Sequence, residues 1–212
     1  MGKPLTEIVF LLDRSGSMHG VTESTIAGVN RFIDEQKNVE GDARFSLILF
    51  DDRYERIIDQ VYIGAVEHLT PEQYWVRGLT ALNDAICRAI IETEAAIRGR
   101  KDEFKPNKVL FVVLTDGLEN ASEKYTIKDV SKMIREKEEN GWKFLFLGAN
   151  IDAFAVGGQY AIKNSGIAQI DYASISNNTA FAGISVAVAE YRSTGTISDN
   201  WIAHIKTGVG VN

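Results

Sequence analysis

Apolar residues follow two rhythms along this chain. Three short stretches are almost unbroken: Ile8 to Leu12 (IVFLL), Val109 to Leu114 (VLFVVL) and Phe144 to Leu147 (FLFL). Near-continuous apolar runs of this length predict strands covered on both faces. Between them, apolar residues recur at helical spacing. Ile26, Val29, Phe32 and Ile33 form one stripe, Leu82, Ala85, Ile86, Ala89 and Ile90 a clearer one, and Ile127, Val130 and Ile134 a third. The third opens on Thr126-x-x-Asp129, a capping-box-like start, and closes at Asn140-Gly141. Strands alternating with helices predict right-handed crossovers and a parallel sheet.

Other stretches refine this picture. Ala43 to Phe50 and Tyr54 to Ile63 are joined by Asp51-Asp52-Arg53, which reads as a hairpin and adds one antiparallel edge strand. The two aspartates there are expected to be turn residues rather than metal ligands. In Leu69 to Gly78 (LTPEQYWVRG), Thr70 to Gln73 predicts a capped short helix packed on the body. After Phe144–Leu147, Asn150 or Asp152 caps a helix expected to end near Asn164-Ser165-Gly166. A last short strand falls at Ile167–Ile170. A helix from about Ser176 to Arg192 puts Phe181, Ile184, Val188 and Tyr191 on one face. The expected fold is α/β: a Rossmann-like, doubly wound three-layer sandwich in one domain over 1–194. Residues 195–212 form a C-terminal extension, either disordered or pinned by Trp201 and Ile205.

Composition narrows the function classes. The 212 residues are 45% hydrophobic and 25% charged, with a formal net charge of −6. That acidity and the lack of a dense Lys/Arg cluster argue against nucleic acid. The mixed-sign run Lys132 to Glu139 reads as a solvated helix face. The single cysteine, Cys87, excludes an internal disulfide and reads as structural. The N-terminal apolar run is short and has no cleavage signature, and no run approaches the roughly 18 apolar residues of a membrane span. A cytoplasmic location is therefore expected.

The chemistry collects at strand ends. A doubly wound sheet presents ligands beyond the carboxyl ends of its strands. The segments there are Asp13–Gly20, Gly78–Leu82, Thr115–Asn120 and Gly148–Asp152. They bring Asp13, Ser15, Ser17, Thr80 and Asp116, which are two carboxylates and three hydroxyls. An all-oxygen set suits a hard divalent cation, Mg²⁺ foremost. Neutral hydroxyls leave much of the ion's charge uncancelled, so the site invites an external carboxylate from a partner. Thr115, Glu119 and Asn120 are expected to support the site by hydrogen bonds. His19 reads as an exposed loop residue, and the sequence alone assigns no role to His68 or His204.

Asp13-x-Ser15-x-Ser17, then Thr80, then Asp116-Gly117, resembles the metal-ion-dependent adhesion site (MIDAS) of von Willebrand factor A-type domains, over roughly residues 5 to 192. The resemblance implies a Rossmann-like fold and a Mg²⁺ or Mn²⁺ held by Ser15, Ser17 and Thr80, with Asp13 and Asp116 direct or through water. It implies also that an Asp or Glu of a partner protein fills the last coordination position. The runs FLLDRSGSM, FDD and FLGANIDA are similar to those of uncharacterised bacterial and phage-associated members of that superfamily.

An enzyme is the less favoured reading. Ser17 lacks the Gly-x-Ser-x-Gly elbow, and Ser15 stands where a phosphotransferase with Asp13 as nucleophile needs a second acid. The alternative kept open is a metal-dependent hydrolase acting on a phosphoester, in which an open Mg²⁺ activates water.

Overall fold

The computed structural model describes residues 4–207. Its strands are β1 (Leu5–Asp13), β2 (Asp42–Phe50), β3 (Tyr54–Tyr62), β4 (Lys108–Thr115), β5 (Lys143–Ala149) and β6 (Ile167–Ile170). They form one sheet in the order β3-β2-β1-β4-β5-β6. Every neighbouring pair is parallel except β2 with β3, which is antiparallel. This is the α/β, doubly wound architecture that the apolar rhythm predicts.

Alternation along β1 builds the layers. Ile8, Phe10 and Leu12 enter one core, shared with Phe32 of α1 (Thr22–Lys37) and Phe181 of α6 (Thr179–Thr194). Val9 and Leu11 enter the other, with Ile86 and Ile90 of α2 (Leu82–Gly99) and Val130 and Ile134 of α3 (Ile127–Glu139). Residues on opposite faces of one strand thus serve opposite helical layers. The predicted capping box of α3 is present in full, Thr126 and Asp129 each accepting from the other's backbone N–H. Cys87 lies fully buried in the second core, not at its boundary, and burial pushes its thiol up to about 12.

Gly28 shows how closely the first core is packed. A Cβ there would overlap the ring of fully buried Phe181. Gly28→Ala is therefore expected to destabilise by about 1–3 kcal/mol, despite alanine's better helix propensity, because the ring has nowhere to go. Urea unfolding would check this, and a stabilised variant would refute it.

Several expectations need correction. Thr70 to Gln73 makes a single turn, in which Gln73 Oε1 accepts from Thr70 N at 3.0 Å, and no helix follows. The helix after β5, α4 (Ala153–Gln159), is capped by Asp152 but stops well before residue 164. Gly157-Gly158 and Ala161, at φ 65°, explain the early stop. The last long helix is preceded by a separate turn of helix, α5 (Tyr172–Ser176), with the break at Asn178, φ 58°. Residues 200–207 follow one of the two alternatives for the extension: α7 (Asn200–Thr207) lies against α6, Trp201 is fully buried, and its indole N–H donates to Ser165 O at 3.0 Å. Residues 208–212 lie outside the described residues. His68 has a partner, Asp34 Oδ1 at 2.9 Å.

The sheet's outer strands are irregular or short. β3 slips register against β2 between Phe45 and Leu47 and again at Ile48, and its Gln60 takes φ 54°. β6 has only four residues.

Candidate functional site

The strand order reverses direction between β1 and β4, which places a ligand crevice at their carboxyl ends. Leu12 pairs with Leu114, so Asp13 and Thr115 emerge side by side. Thr115 Oγ1 donates to Asp13 Oδ2 at 2.6 Å, and Ser15 N donates to Asp13 Oδ1 at 2.6 Å. Asp13 is fully buried and forms the floor. Desolvation pushes its carboxyl up to about 6, against the pull of the Thr115 and Ser15 hydrogen bonds, while the Asp116 charge adds to the rise.

The hydroxyls stand above this floor. Ser15 Oγ and Ser17 Oγ are 3.1 Å apart, and Ser17 Oγ donates to Asp116 Oδ1 at 2.6 Å. Ser17 is exposed, so the site opens to solvent on that side. Gly117 passes under Thr80 so closely that a Cβ would stand 2.5 Å from Thr80 Oγ1. Thr80 N donates to Asn120 Oδ1 at 2.8 Å, and Asn120 N returns a bond to Thr80 O at 3.0 Å. The structure thus brings Asp13, Ser15, Ser17, Thr80 and Asp116 to one place from three separate segments.

Thr80 is not the cap of α2. The Glu119 carboxylate accepts from Asn83 N at 2.7 Å, and Ser122 Oγ from Asp84 N at 3.0 Å, so the helix start is capped from the β4–α3 loop. The Thr80 hydroxyl makes no hydrogen bond among the described residues. Among those residues there is also no cluster of three His, Cys, Asp or Glu able to hold a metal. Any ion here would rest on a donor set of two carboxylates and three hydroxyls. Such a set fits a hard divalent cation, and the space that Gly117 leaves beside Thr80 is in keeping with one.

Three supporting features have no local signature in the sequence. Tyr172, from α5, donates to Asp116 Oδ2 at 2.6 Å. Tyr74 is buried and donates to Asp13 O at 2.8 Å, anchoring the first loop from below. The third is an ion cluster. Asp51 Oδ2 receives Arg14 Nε at 3.0 Å and Arg77 Nε at 2.6 Å, and both guanidinium groups also reach Glu55. Asp51 is thereby a structural anion and not a metal ligand, in keeping with the turn reading. Trp75, unlike buried Tyr74, is 47% exposed, with the Arg77 guanidinium 4.5 Å over its ring.

The cluster fixes the loops that carry the hydroxyls. Arg77 N donates to Arg14 O, Gly16 N to Gly78 O and Ala81 N to Asp51 O, which laces residues 14–16 to 77–81. Gly78 has φ 66° and presses on Asp52, a place only glycine fills without strain. His19 is exposed beside the Ser17 loop. Asn150 is exposed on the rim at φ 55°.

Comparison with known proteins agrees with this architecture. The vWF domain of the type V pili tip protein Mfa5 from Porphyromonas gingivalis superposes with a TM-score of 0.61 at 11% identity, over 94% of this chain and 99% of that one. Manganese-loaded TRAP protein from Plasmodium vivax gives 0.55 at 14%, over 82% and 71%. Proximal thread matrix protein 1 from the mussel byssus, with a zinc-occupied MIDAS motif, gives 0.52 at 14%, over 80% and 41%. The chain spans less than half the length of the mussel chains it matches. At such identities these likenesses show the fold alone. A search of curated proteins finds no match. The sequence profile of the von Willebrand factor type A domain covers residues 7–200. The chain belongs to the von Willebrand factor type A domain family.

Proposed function

We propose that this chain is a metal-dependent protein-binding module. A divalent cation, Mg²⁺ or Mn²⁺, would be held by Ser15, Ser17 and Thr80 with Asp13 and Asp116, and completed by an Asp or Glu carboxylate of a partner protein. The observation that carries this reading is the Thr80 hydroxyl. It stands against Gly117, next to Asp116, with no hydrogen bond of its own among the described residues, while the start of α2 is capped by Glu119 and Ser122. The manganese-loaded and zinc-occupied relatives support a divalent ion on this fold. The ion would supply positive charge only partly cancelled by its protein donors, and hence affinity for an external carboxylate.

The protein's own residues prepare that charge. Asp13 is fixed by Thr115 and Ser15, and Asp116 by Ser17 and Tyr172, so neither carboxylate needs to reorganise. No helix among the described residues is long and apolar enough to cross a membrane.

Thr80→Ala is the discriminating experiment. Metal-free stability is expected to fall by no more than about 1.5 kcal/mol, the cost of deleting one buried methyl, since Thr80 is buried but no hydrogen bond is lost. Mg²⁺ and Mn²⁺ affinity, read by calorimetry, is expected to fall at least about tenfold, the range seen when a supporting group is removed from a metal site. Unchanged metal affinity, or no metal binding by the wild type, would refute the reading.

A further inference from the structure

Beside the candidate metal position lies a groove of about 700 Å³, within the size range of ligand pockets. Leu79, Ala81, Ala85 and Ile91 line it, with Tyr54 of β3 and Tyr125 of the loop before α3. Leu79 is 57% exposed and Ile91 42%, so two large apolar side chains stand there without cover. Leu79 is also the residue before Thr80, whose Cα is therefore about 3.8 Å away. The groove begins where the metal site ends.

Its walls are built in advance. Asp84 accepts from the backbone N–H groups of Glu123, Lys124 and Tyr125 at 2.8–3.3 Å, which holds the loop wall in place. Glu92 is engaged by Arg88, Arg56 and the Tyr54 hydroxyl. Arg53, Arg88 and Lys124 stand against Asp52, Asp84, Glu92 and Glu123, so the groove carries little net charge. A preformed groove of mixed lining and little net charge, with Leu79 and Ile91 uncovered in it, complements an uncharged apolar side chain and asks little ordering of it.

We propose that this groove receives an apolar residue of the protein ligand, three to five positions from the acid that meets the metal. The inference rests on the metal reading above. Ile91 lies nine residues along α2 from Leu82, about 13.5 Å of helix. An extended segment advances about 3.3 Å per residue, so a chain whose carboxylate meets the metal passes Leu79 and reaches Ile91 after about four positions. The recognised motif is thus an acid with a large aliphatic or aromatic residue about three to five positions away, not an acid alone.

The test is a random-peptide phage library panned on the full chain with millimolar Mg²⁺, with direct Mn²⁺ binding measured alongside. Recovered peptides are expected to carry Asp or Glu with a large apolar residue three to five positions away. Changing that residue to Ser in a synthetic copy should weaken binding to wild type about tenfold, as expected for one buried apolar side chain. The same change should have little effect on Ile91→Lys or Ile91→Ser, both surface substitutions remote from the metal donors. Acid-bearing peptides with no apolar preference, equal losses on wild type and Ile91 variants, or no Mg²⁺-dependent recovery while Mn²⁺ still binds would overturn the groove inference and leave the metal reading standing. Absence of Mn²⁺ binding would overturn both.

Discussion

Asp51→Ala is expected to destabilise the protein by about 3–5 kcal/mol, the cost of removing one partner from a buried ion pair. Arg14 is fully buried, and its Nε is held by Asp51. Without that carboxylate the guanidinium keeps only Glu55, which is half-exposed. Asp51 Oδ1 also accepts from Arg53 N at 2.6 Å, so the hairpin turn loses its brace as well. The damage should spread to the site, because residues 14–16 and 77–81 are laced together around this anion. Urea unfolding at neutral pH reads the stability, and Mn²⁺ binding reads the site. Adding Arg14→Met should recover part of the loss by removing the stranded charge. A loss below about 1 kcal/mol would show that the cluster contributes little.

The second large effect runs the other way. Asp13→Asn is expected to stabilise the metal-free protein near pH 7 by up to about 3 kcal/mol while abolishing metal binding. The folded carboxyl titrates at about 6 and the free one at 3.8. Between those values the unfolded chain has released a proton that the folded chain still holds. Stability therefore falls as pH rises through that window and levels off above it, by about 1.36 kcal/mol per pKa unit. Asparagine has no proton to lose, so its curve stays flat there. Its Oδ1 accepts from Ser15 N as before, and its Nδ2 donates to Thr115 Oγ1, which can turn its own proton to Gly117 O at 3.2 Å. A bound cation would hold the aspartate ionised, so metal affinity of the wild type should weaken as pH falls below about 6. Millimolar Mg²⁺ should raise the wild-type melting temperature and leave the variant's unchanged. A variant less stable than wild type in EDTA at pH 7 would contradict this account.

Much of this was legible from the residues alone, for definite reasons. Strands buried on both faces leave unbroken apolar runs, so β1, β4 and β5 announced themselves. The hairpin showed in Asp51-Asp52-Arg53, and the α3 capping box in Thr126 and Asp129. The strand-end rule named Asp13, Ser15, Ser17, Thr80 and Asp116, and the fold brings them together. What escaped was set by distant partners. Thr70 to Gln73 carries the signs of a helix start, yet Tyr74 must reach Asp13 O, and one turn suffices. The short helix Tyr172–Ser176 lies ahead of the expected helix start at Ser176, is set off from α6 by Asn178 in a left-handed conformation, and delivers Tyr172 to Asp116. Arg14 and Arg77 meet Asp51 across 37 and 26 positions of chain, a pairing that periodicity does not record.

The slipped and left-handed end of β3 bears on how other molecules can join this one. A regular outer strand offers its backbone as a template on which a foreign strand can grow. Here Gln60 N is already taken by Ser46 Oγ at 2.9 Å, Glu55, Arg56 and Asp59 place charge along the strand, and β6 at the opposite edge is too short to guide a newcomer. Sheet extension is thereby discouraged at both flanks, and crowding should not drive these molecules into ribbons. On the function proposed above, association would be left to side chains at the mouth of the sheet, where withdrawing an ion would reverse it.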